Sequence, residues 1–327
     1  MTVIDVHTHQ LHQDWLKELT RHGGNYTLGE LAGGLQGISL DGSPFMTLTH
    51  PMLDLGLRIS AMDKAGVDVA ILSLTCPSVY WGGKEVSSKL ARTMNRHWAA
   101  AQTTYPARIR WFATLPWQYP DAAVKELKQA EKEGAVGVFV AANLGAMHLT
   151  DPVLEPIWQQ IEKLDLPVLV HPTTLQGMDE KDLRKYNLVA AVGSMFDTTL
   201  CFSRMILDGF LDRHPNLKLI AAHAGGTLPY LAGRLDMCFE NMPACREKIT
   251  TRPSEYLRRL YYDSVTFTDQ ALQACVNTVG HKQVMYGSDF PHDIGDMKGC
   301  LARVNNLQKN QHKSIRSNNA VRVFTRL

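Results

Sequence analysis

The feature that most constrains the fold is a repeated alternation of short apolar runs with longer amphipathic stretches. Eight runs rich in β-branched residues recur, at residues 3–9, 67–74, 109–115, 136–142, 167–171, 217–223, 260–265 and 284–289. Each run is nearly continuous in apolar residues, as expected of a parallel strand that is covered on both faces. This alternation predicts an α/β fold, a closed (β/α)₈ TIM barrel, although an open doubly wound sheet has the same periodicity.

The stretches between the runs have the pattern of helices on the outside of such a barrel. Residues 119–133, 152–164 and 269–279 are amphipathic, and we expect Asp121 and Thr268 to cap two of these helices. The tail over residues 309–327 is also helical in pattern, and we expect it to pack on the exterior of the barrel.

Length and loop pattern predict one domain over residues 1–327, which is within the size range of a single barrel. The segment over residues 10–54 follows the first run and is far longer than an ordinary loop of about two to six residues. It contains the pairs Gly23-Gly24 and Gly33-Gly34. We interpret residues 10–54 as a lid or cap insertion over the barrel mouth, with a plain surface loop as the alternative.

Composition excludes several classes of protein. The chain has 34 Lys+Arg against 32 Asp+Glu, a net charge of +2. This balance lacks the excess of positive charge that is typical of proteins that bind nucleic acid. The six cysteines form no C-x-x-C pair, which argues against a disulfide framework or a cysteine-based zinc module. No secretory signal or membrane-spanning stretch is visible, so we expect a cytoplasmic protein that makes no membrane contact.

The 13 histidines are the unusual count in this composition, and two of them stand in the first apolar run. His7 and His9 are two residues apart, and in a strand such residues project to the same face. Two imidazoles buried side by side are costly unless they share a partner. A divalent cation is such a partner, since it accepts imidazole nitrogens at about 2.0–2.2 Å.

Three further side chains of metal-ligand type end other predicted strands: His171, His223 and Asp289. In a (β/α)₈ barrel the carboxyl ends of the strands meet at one mouth, and this convergence favours the barrel over the open sheet. The fourth run, residues 136–142, carries no Lys, Glu or Cys that could bridge two cations. We therefore predict a single cation held by His7, His9, His171 and Asp289.

His223 has two candidate roles at this centre. It is either a further ligand or a general base beside the metal, and we favour the base because neutral imidazole suits proton transfer near pH 7. Asp289 can bind the cation through one oxygen and exchange a proton through the other. These roles serve hydrolysis and decarboxylation equally.

Four motifs resemble the amidohydrolase-related (amidohydrolase 2) family: Asp5-Val6-His7-Thr8-His9, Val170-His171-Pro172, His223-Ala224-Gly225-Gly226 and Gly287-Ser288-Asp289-Phe290-Pro291. Within it the chain resembles the aminocarboxymuconate-semialdehyde and resorcylate-type decarboxylases. The resemblance implies a (β/α)₈ barrel and one divalent metal, zinc being favoured and manganese the alternative, on the ligands named above. It also implies an acid/base role for His223 and a homodimer in which Arg234 is lent to the neighbouring active site.

Two segments depart from the pattern of the muconate-semialdehyde enzymes. Where those enzymes place an arginine on the carboxylate-binding loop, this chain has residues 47–51. His50 in this segment is either a substitute for the missing charge or a solvated surface histidine. Their tryptophan-containing pocket segment is replaced by residues 186–190. The metal chemistry therefore carries over, while the identity of the substrate does not.

Three further residues are candidates for substrate contacts. His292 follows Asp289 closely and either touches substrate or has a structural role. Trp81 and Trp117 lie just beyond strand ends, where they form either the wall of an aromatic pocket or ordinary core. No nucleotide-binding loop is recognisable.

The leading functional hypothesis is metal-dependent, non-oxidative decarboxylation of a small cyclic or unsaturated carboxylic acid. The alternative is hydrolysis of a lactone, ester or amide by the same centre, because both reactions need a Lewis acid and a proton-transfer group. A barrel that binds a ligand without catalysis is a third reading, which is weakened because no ligand position is missing.

Overall fold

Eight parallel strands surround the centre of the molecule in the order in which they occur in the chain. The structure is a computed structural model, which describes residues 2–31, 33–175, 183 and 185–327. The strands are β1 Ile4–His9, β2 Val69–Ser73, β3 Ile109–Thr114, β4 Gly137–Ala141, β5 Val168–His171, β6 Leu219–Ala221, β7 Tyr261–Asp263 and β8 Val284–Met285.

Backbone hydrogen bonds join the last strand to the first and close the sheet. The Val6 N–H donates to the Tyr286 carbonyl at 2.9 Å, and the Asp289 N–H donates to the His7 carbonyl at 2.9 Å. A parallel bridge between Thr8 and Phe290 continues this contact. The predicted (β/α)₈ barrel is confirmed, and the open doubly wound sheet is excluded.

The helices follow the strands along the chain. Their bounds are Gln13–His22, Leu55–Ala65, Gly83–Thr104, Pro120–Lys132, Glu155–Lys163, Ser194–Leu207, Phe210–Arg213, Ala222–Gly225, Leu228–Asn241, Pro253–Leu257, Asp269–Val279, Met297–Asn305, Lys309–Lys313 and Asn319–Val323. No helix of the described residues is long and apolar enough to cross a bilayer.

Local sequence explains where two of these helices begin. The Thr268 hydroxyl accepts a hydrogen bond from the Ala271 N–H at 3.1 Å, so this predicted N-cap is confirmed. The predicted cap at Asp121 is wrong. Tyr119 is the N-cap residue and Pro120 opens the helix, because proline at the first helical position needs no N–H partner.

The segment over residues 10–54 has regular structure of its own. It contains the helix Gln13–His22 and a three-stranded antiparallel sheet, Tyr26–Glu30, Gln36–Leu40 and Ser43–Thr47. The last two strands are joined by Asp41 (φ 50°) and Gly42 (φ 73°). Two residues of positive φ are what a tight hairpin requires, and Asp-Gly supplies them at low steric cost.

Alternate side chains of the strands point into the barrel and form a separate apolar cluster. Val6 and Phe139 belong to this cluster, together with Phe112, whose ring lies 5.7 Å from that of Phe324. Val323 and Phe324 come from the end of the tail, whereas Ile315 of the tail packs in the core between strands and outer helices. The expectation that the tail packs on the exterior is therefore wrong for its last residues only. The tail closes the amino-terminal end of the barrel, because the open ends of the strands leave apolar side chains to be covered there.

We expect Phe324→Ala to lower the free energy of unfolding by about 3–5 kcal/mol, because it removes a buried aromatic ring and leaves a cavity beneath the barrel. The measurement is urea unfolding followed by circular dichroism. Val321→Ala on the terminal helix Asn319–Val323, which Phe324 follows directly, is the control. That side chain is 57% exposed, so the substitution should change the value by less than about 0.5 kcal/mol. Equal effects of the two substitutions on the free energy of unfolding would contradict the burial of Phe324 in this apolar cluster.

Candidate metal centre at the carboxyl ends of the strands

Five side chains that end four different strands meet at the barrel mouth: His7, His9, His171, His223 and Asp289, here called the central cluster. One ligand atom from each of His7, His171, His223 and Asp289 lies within 4.8 Å of the others. The fifth, His9, lies between His7 and Asp289. His223 is the only partly exposed member of this set, and the other four are buried.

The separations within the cluster are those of ligands around one ion. His7 Nε2 lies 3.1 Å from His9 Nε2, and Asp289 Oδ1 lies 3.3 Å and 3.1 Å from these two nitrogens. Atoms that share a cation at about 2.0–2.2 Å are about 3.0–3.4 Å apart, from octahedral to tetrahedral geometry. The predicted pair on β1 therefore points to one place, as strand alternation requires.

His171 supplies an unpartnered lone pair to this cluster. Its Nδ1 lies 2.8 Å from the Pro172 carbonyl, which can only accept, so Nδ1 carries the proton. Nε2 is then unprotonated, and it is buried with no hydrogen-bond partner among the described residues. Burial, and then the neighbouring imidazoles, lower the pKa of His171 well below its usual value, so the ring stays neutral. A buried lone pair on a neutral imidazole fits a metal ligand.

The two imidazoles on β1 also have their outer nitrogen, Nδ1, held by a hydrogen-bond partner outside the cluster. His7 Nδ1 lies 2.6 Å from Asp263 Oδ2 and donates to it. His9 Nδ1 lies 3.0 Å from Ser73 Oγ, whose hydroxyl donates to the Thr8 carbonyl and so is free to accept. Both rings therefore present Nε2 to the cluster, which is how outer partners orient metal-binding histidines.

Asp263 was not singled out from the sequence, although it ends β7. Its carboxylate accepts from His7 and from the backbone N–H groups of His223, Ala224 and Val265 at 2.8, 3.0 and 2.9 Å. Burial alone would raise the pKa of Asp263, but His7 and these hydrogen bonds outweigh burial and lower it. Burial likewise lowers the pKa of His7, but Asp263 and Asp289 outweigh it and raise that pKa to about 10. The signal in the sequence was an acidic residue inside an apolar strand.

Backbone conformation places two members of the cluster. His223 (φ 55°, ψ 49°) and Asp289 (φ 56°) are left-handed, which is uncommon for residues other than glycine. Such residues cost about 1–3 kcal/mol each and persist only where their surroundings hold them. The two N–H bonds to Asp263 hold the turn at His223, and the His7 carbonyl holds Asp289.

His223 faces Asp289 from across the cluster. Its Nε2 lies 3.5 Å from Asp289 Oδ2, and its Nδ1 is buried without a partner among the described residues. The distance to Asp289 allows a proton to pass between the two groups after a small adjustment. The same position also allows His223 to be a ligand, so the geometry accommodates both roles expected from the sequence.

A cavity of about 680 Å³ opens above the central cluster. Its walls include Phe45 and Met46 from the antiparallel sheet, and Val189 from the segment after β5. His292 also lines it, with Nε2 3.0 Å from Thr75 Oγ1, and burial lowers the pKa of His292. The cavity is large enough for a substituted aromatic acid.

Four other candidate residues lie away from the cavity lining. Trp81 and Trp117 are buried and donate to the carbonyls of Ser78 and Phe139 at 3.0 and 3.1 Å. His50 is exposed at the start of a short 3₁₀ helix, His50–Met52. Arg234 is exposed on the helix Leu228–Asn241, whose Tyr230 lines the cavity mouth.

Arg58 was also missed from the sequence, and it is fully buried behind β1. It donates to Thr8 Oγ1 at 2.7 Å, to Gln10 Oε1 at 2.5 Å and to the His9 carbonyl. Burial lowers its pKa to about 9, which leaves the guanidinium charged at neutral pH. These bonds fix the end of β1 and with it the position of His9.

A sequence profile described as "Amidohydrolase" matches residues 4–326. The chain is 32% identical over 300 residues to a 2-amino-3-carboxymuconate-6-semialdehyde decarboxylase of Dictyostelium discoideum, covering 90% of this chain and 83% of that protein. It is 27% identical over 298 residues to a γ-resorcylate decarboxylase of Rhizobium sp. (strain MTP-10005), covering 86% of this chain and 91% of that protein. The resemblance drawn from the motifs is confirmed.

A solved structure has the same fold. The dihydroxybenzoic acid decarboxylase of Polaromonas sp. JS666, with bound manganese and 2-nitroresorcinol, superposes with a TM-score of 0.78. The two chains are 22% identical, and the match covers 99% of this chain and 97% of that one.

We expect Asp263→Asn to weaken the affinity of the centre for a divalent cation by about 10- to 100-fold, because the amide no longer holds His7 as a strong nitrogen ligand. Competition with a chelator of known affinity measures this. Asp121→Asn, on an exposed side chain of an outer helix, is the matched control and should leave the affinity unchanged. Unchanged affinity in Asp263→Asn would contradict the role given to this carboxylate.

Proposed function

This chain belongs to the amidohydrolase family, and we propose that it is a metal-dependent decarboxylase, a carboxy-lyase that acts on a small cyclic or unsaturated carboxylic acid without oxidation. The observation that carries this proposal is the central cluster beneath an apolar cavity, in a chain whose relatives are decarboxylases. Aromatic monocarboxylates are the first class to test, because the cavity accepts a substituted ring.

We infer that His7, His9, His171 and Asp289 hold one divalent cation. The separations of 3.1–3.3 Å and the orphaned His171 nitrogen support this ligand set. Zinc is favoured because three imidazoles and one carboxylate suit it, with manganese as the alternative. The bound cation supplies a Lewis acid that draws electron density toward a substrate oxygen.

A single cation, not a pair, is proposed for this centre. Two divalent ions about 3.5–4 Å apart need an anionic bridge between them. The strand that could carry it, Gly137–Ala141, has the sequence GVFVA and offers no such side chain.

Proton transfer falls to His223 and Asp289. Burial would raise the pKa of Asp289, but hydrogen bonds from His223, His7 and His9 hold that pKa well below its usual value, so the resting side chain is a carboxylate. A carboxylate has to receive a proton before it can deliver one. His223 Nε2, 3.5 Å away, is placed to supply that proton or to protonate the substrate carbon directly.

The overall proton balance sets what these two residues must do. When the bond to the carboxyl group breaks, its electron pair remains on the ring carbon and carbon dioxide leaves. One proton must then reach that carbon, and His223 or Asp289 delivers it. The apolar walls at Phe45, Met46 and Val189 favour the departure of an uncharged product from a charged substrate.

We propose that residues 10–54 form a lid or cap over the mouth, within a single barrel domain over residues 1–327. Support comes from Phe45 and Met46, which belong to the sheet of this segment and line the cavity directly above the central cluster.

We further propose a homodimer in which Arg234 reaches the active site of the partner subunit. The helix that bears it also exposes Tyr230, which lines the cavity, by 90%, and Met237 by 58%. Apolar side chains this exposed are typical of a surface covered by another protein.

All six cysteines are free thiols, which suits the reducing cytoplasm where we place the enzyme.

We expect the purified protein to release carbon dioxide from aromatic monocarboxylates such as 2,6-dihydroxybenzoate. A chelator should abolish the release, and zinc or manganese should restore it, because the reaction needs the Lewis acid. Product analysis measures the arene and the carbon dioxide together. Turnover of lactones or esters with no carbon dioxide from any acid would overturn the proposed reaction in favour of hydrolysis.

His223→Asn should lower kcat by at least about 100-fold, since it removes a proton-transfer group, while the metal content stays at the wild-type level. Steady-state kinetics and elemental analysis make the two measurements. The control is His281→Asn, on a short helix away from the cavity. Loss of the metal along with activity would instead make His223 a ligand.

Arg234→Ala and His223→Asn should each be nearly inactive alone, whereas a mixture of the two should regain activity. In a mixed dimer, the chain with an intact His223 receives its arginine from the partner. The measurement is activity after the two variants are mixed and allowed to exchange subunits. A mixture no more active than its components would argue against a shared site.

A further inference from the structure

A second group of metal-ligand side chains lies outside the barrel mouth. His12, Asp14 and His97, here called the outer cluster, each place one ligand atom within 4.8 Å of the other two. None of them belongs to the central cluster or lines the cavity. The cluster therefore needs a separate explanation.

Two helices bring these residues together. His12 is the N-cap residue of the helix Gln13–His22, and Asp14 lies in its first turn. His97 comes from the long helix Gly83–Thr104, which connects β2 to β3. The His12 and His97 rings stack with centroids 3.4 Å apart and planes 19° from parallel. One nitrogen of each stacked imidazole therefore lies on the side of the stack where the Asp14 carboxylate is.

The distances in the outer cluster resemble those in the central one. Asp14 Oδ2 lies 3.0 Å from His97 Nε2 and 3.5 Å from His12 Nδ1. Ligands of one cation are about 3.0–3.4 Å apart, so the spacing fits one ion. To bind it, the two rings would have to tilt out of their parallel stack so that both nitrogen lone pairs point at the ion. The side chains are 36%, 41% and 32% exposed for His12, Asp14 and His97, which gives an ion access and the rings room to rotate.

The charge state also suits a cation. The hydrogen bond from His97 is the main cause that lowers the pKa of Asp14, so this carboxyl is ionised. Burial, and then the neighbouring His97, lower the pKa of His12, so its ring is neutral at pH 7. Lys17 is the competing positive charge, but its Nζ lies 3.4 Å from Oδ1 and leaves Oδ2 to the imidazoles.

We propose that His12, Asp14 and His97 form a second, surface-accessible site for a divalent transition-metal ion of the zinc class, with its remaining positions open to water. Two imidazoles and one carboxylate select such an ion over calcium or magnesium, which require oxygen ligands. The ion would replace the hydrogen bond that His12 Nδ1 accepts from the Asp14 N–H at 3.1 Å, because the imidazole turns away from this N–H to bind it.

A bound ion would add a cross-link between two helices that already pack in the same core, through side chains such as Trp15 and Trp98. The helix Gln13–His22 leads directly into the antiparallel sheet that contributes Phe45 and Met46 to the cavity. The ion would fasten the start of this helix to the helix Gly83–Thr104. Zinc in excess of the central site should therefore stabilise the folded protein.

The test is calorimetric titration of Zn²⁺ into the protein after its central site has been filled. We expect one further equivalent to bind to the wild-type chain, and both His97→Asn and Asp14→Asn to lose it. His22→Asn is the matched control, because His22 lies on the same helix with Glu18 at 3.6 Å but lacks a third ligand in the described structure. This control should still bind the equivalent.

A second readout separates binding from misfolding. Excess Zn²⁺ should raise the Tm of the wild-type protein and of His22→Asn, but not that of His97→Asn or Asp14→Asn, while circular dichroism and central metal content stay unchanged. The proposal fails if the wild-type chain binds no second equivalent, or if His97→Asn and Asp14→Asn both keep it. Neither result depends on catalytic activity.

Discussion

The burial of three imidazoles and a carboxylate against one another is the constraint on which the rest of this structure depends. Polar groups removed from water cost free energy unless each donor and acceptor is satisfied. Here the outward nitrogens donate to Asp263, to Ser73 and to the Pro172 carbonyl. Each inward Nε2 therefore faces one point, and that of His171 carries a free lone pair. The surroundings have oriented the three rings before any cation arrives.

The barrel meets this constraint by bringing side chains that are far apart in the sequence together at the carboxyl ends of its strands. Asp263 has two roles at once. Its carboxylate orients the ligand His7 on β1, and it also holds the left-handed turn that presents His223. Arg58 acts from the opposite side of β1, where its buried charge is satisfied by three oxygen acceptors at the strand end. Rigid support of this kind keeps a site in place in the absence of its ligand.

The sequence predicted the strands and the positions of the central cluster because both follow from short-range patterns. Apolar runs identify strands, and metal-ligand residues at their ends converge in any barrel. Asp263 and Arg58 carry no such pattern. Their partners lie 256 and 49 residues away, so only the folded chain reveals what they bind.

Trp81 and Trp117 were candidates for a pocket wall, but each turns its indole N–H to a nearby carbonyl in the core, which no motif encodes. The end of the tail was misplaced for a similar reason, because periodicity shows an apolar face without showing what covers it.

The closure of the barrel by its two ends has a consequence for how the protein is made. The first strand pairs with residues 286–290, and the apolar cluster is completed only by Val323 and Phe324. A ribosome releases the amino-terminal strand long before these partners emerge. One edge of β1 can pair early with β2, but the other edge must wait unpaired for the end of the chain. Contacts of such long sequence separation form late in folding. The ligand set gains Asp289 only at that stage, so metal loading belongs to the finished chain rather than to the nascent one.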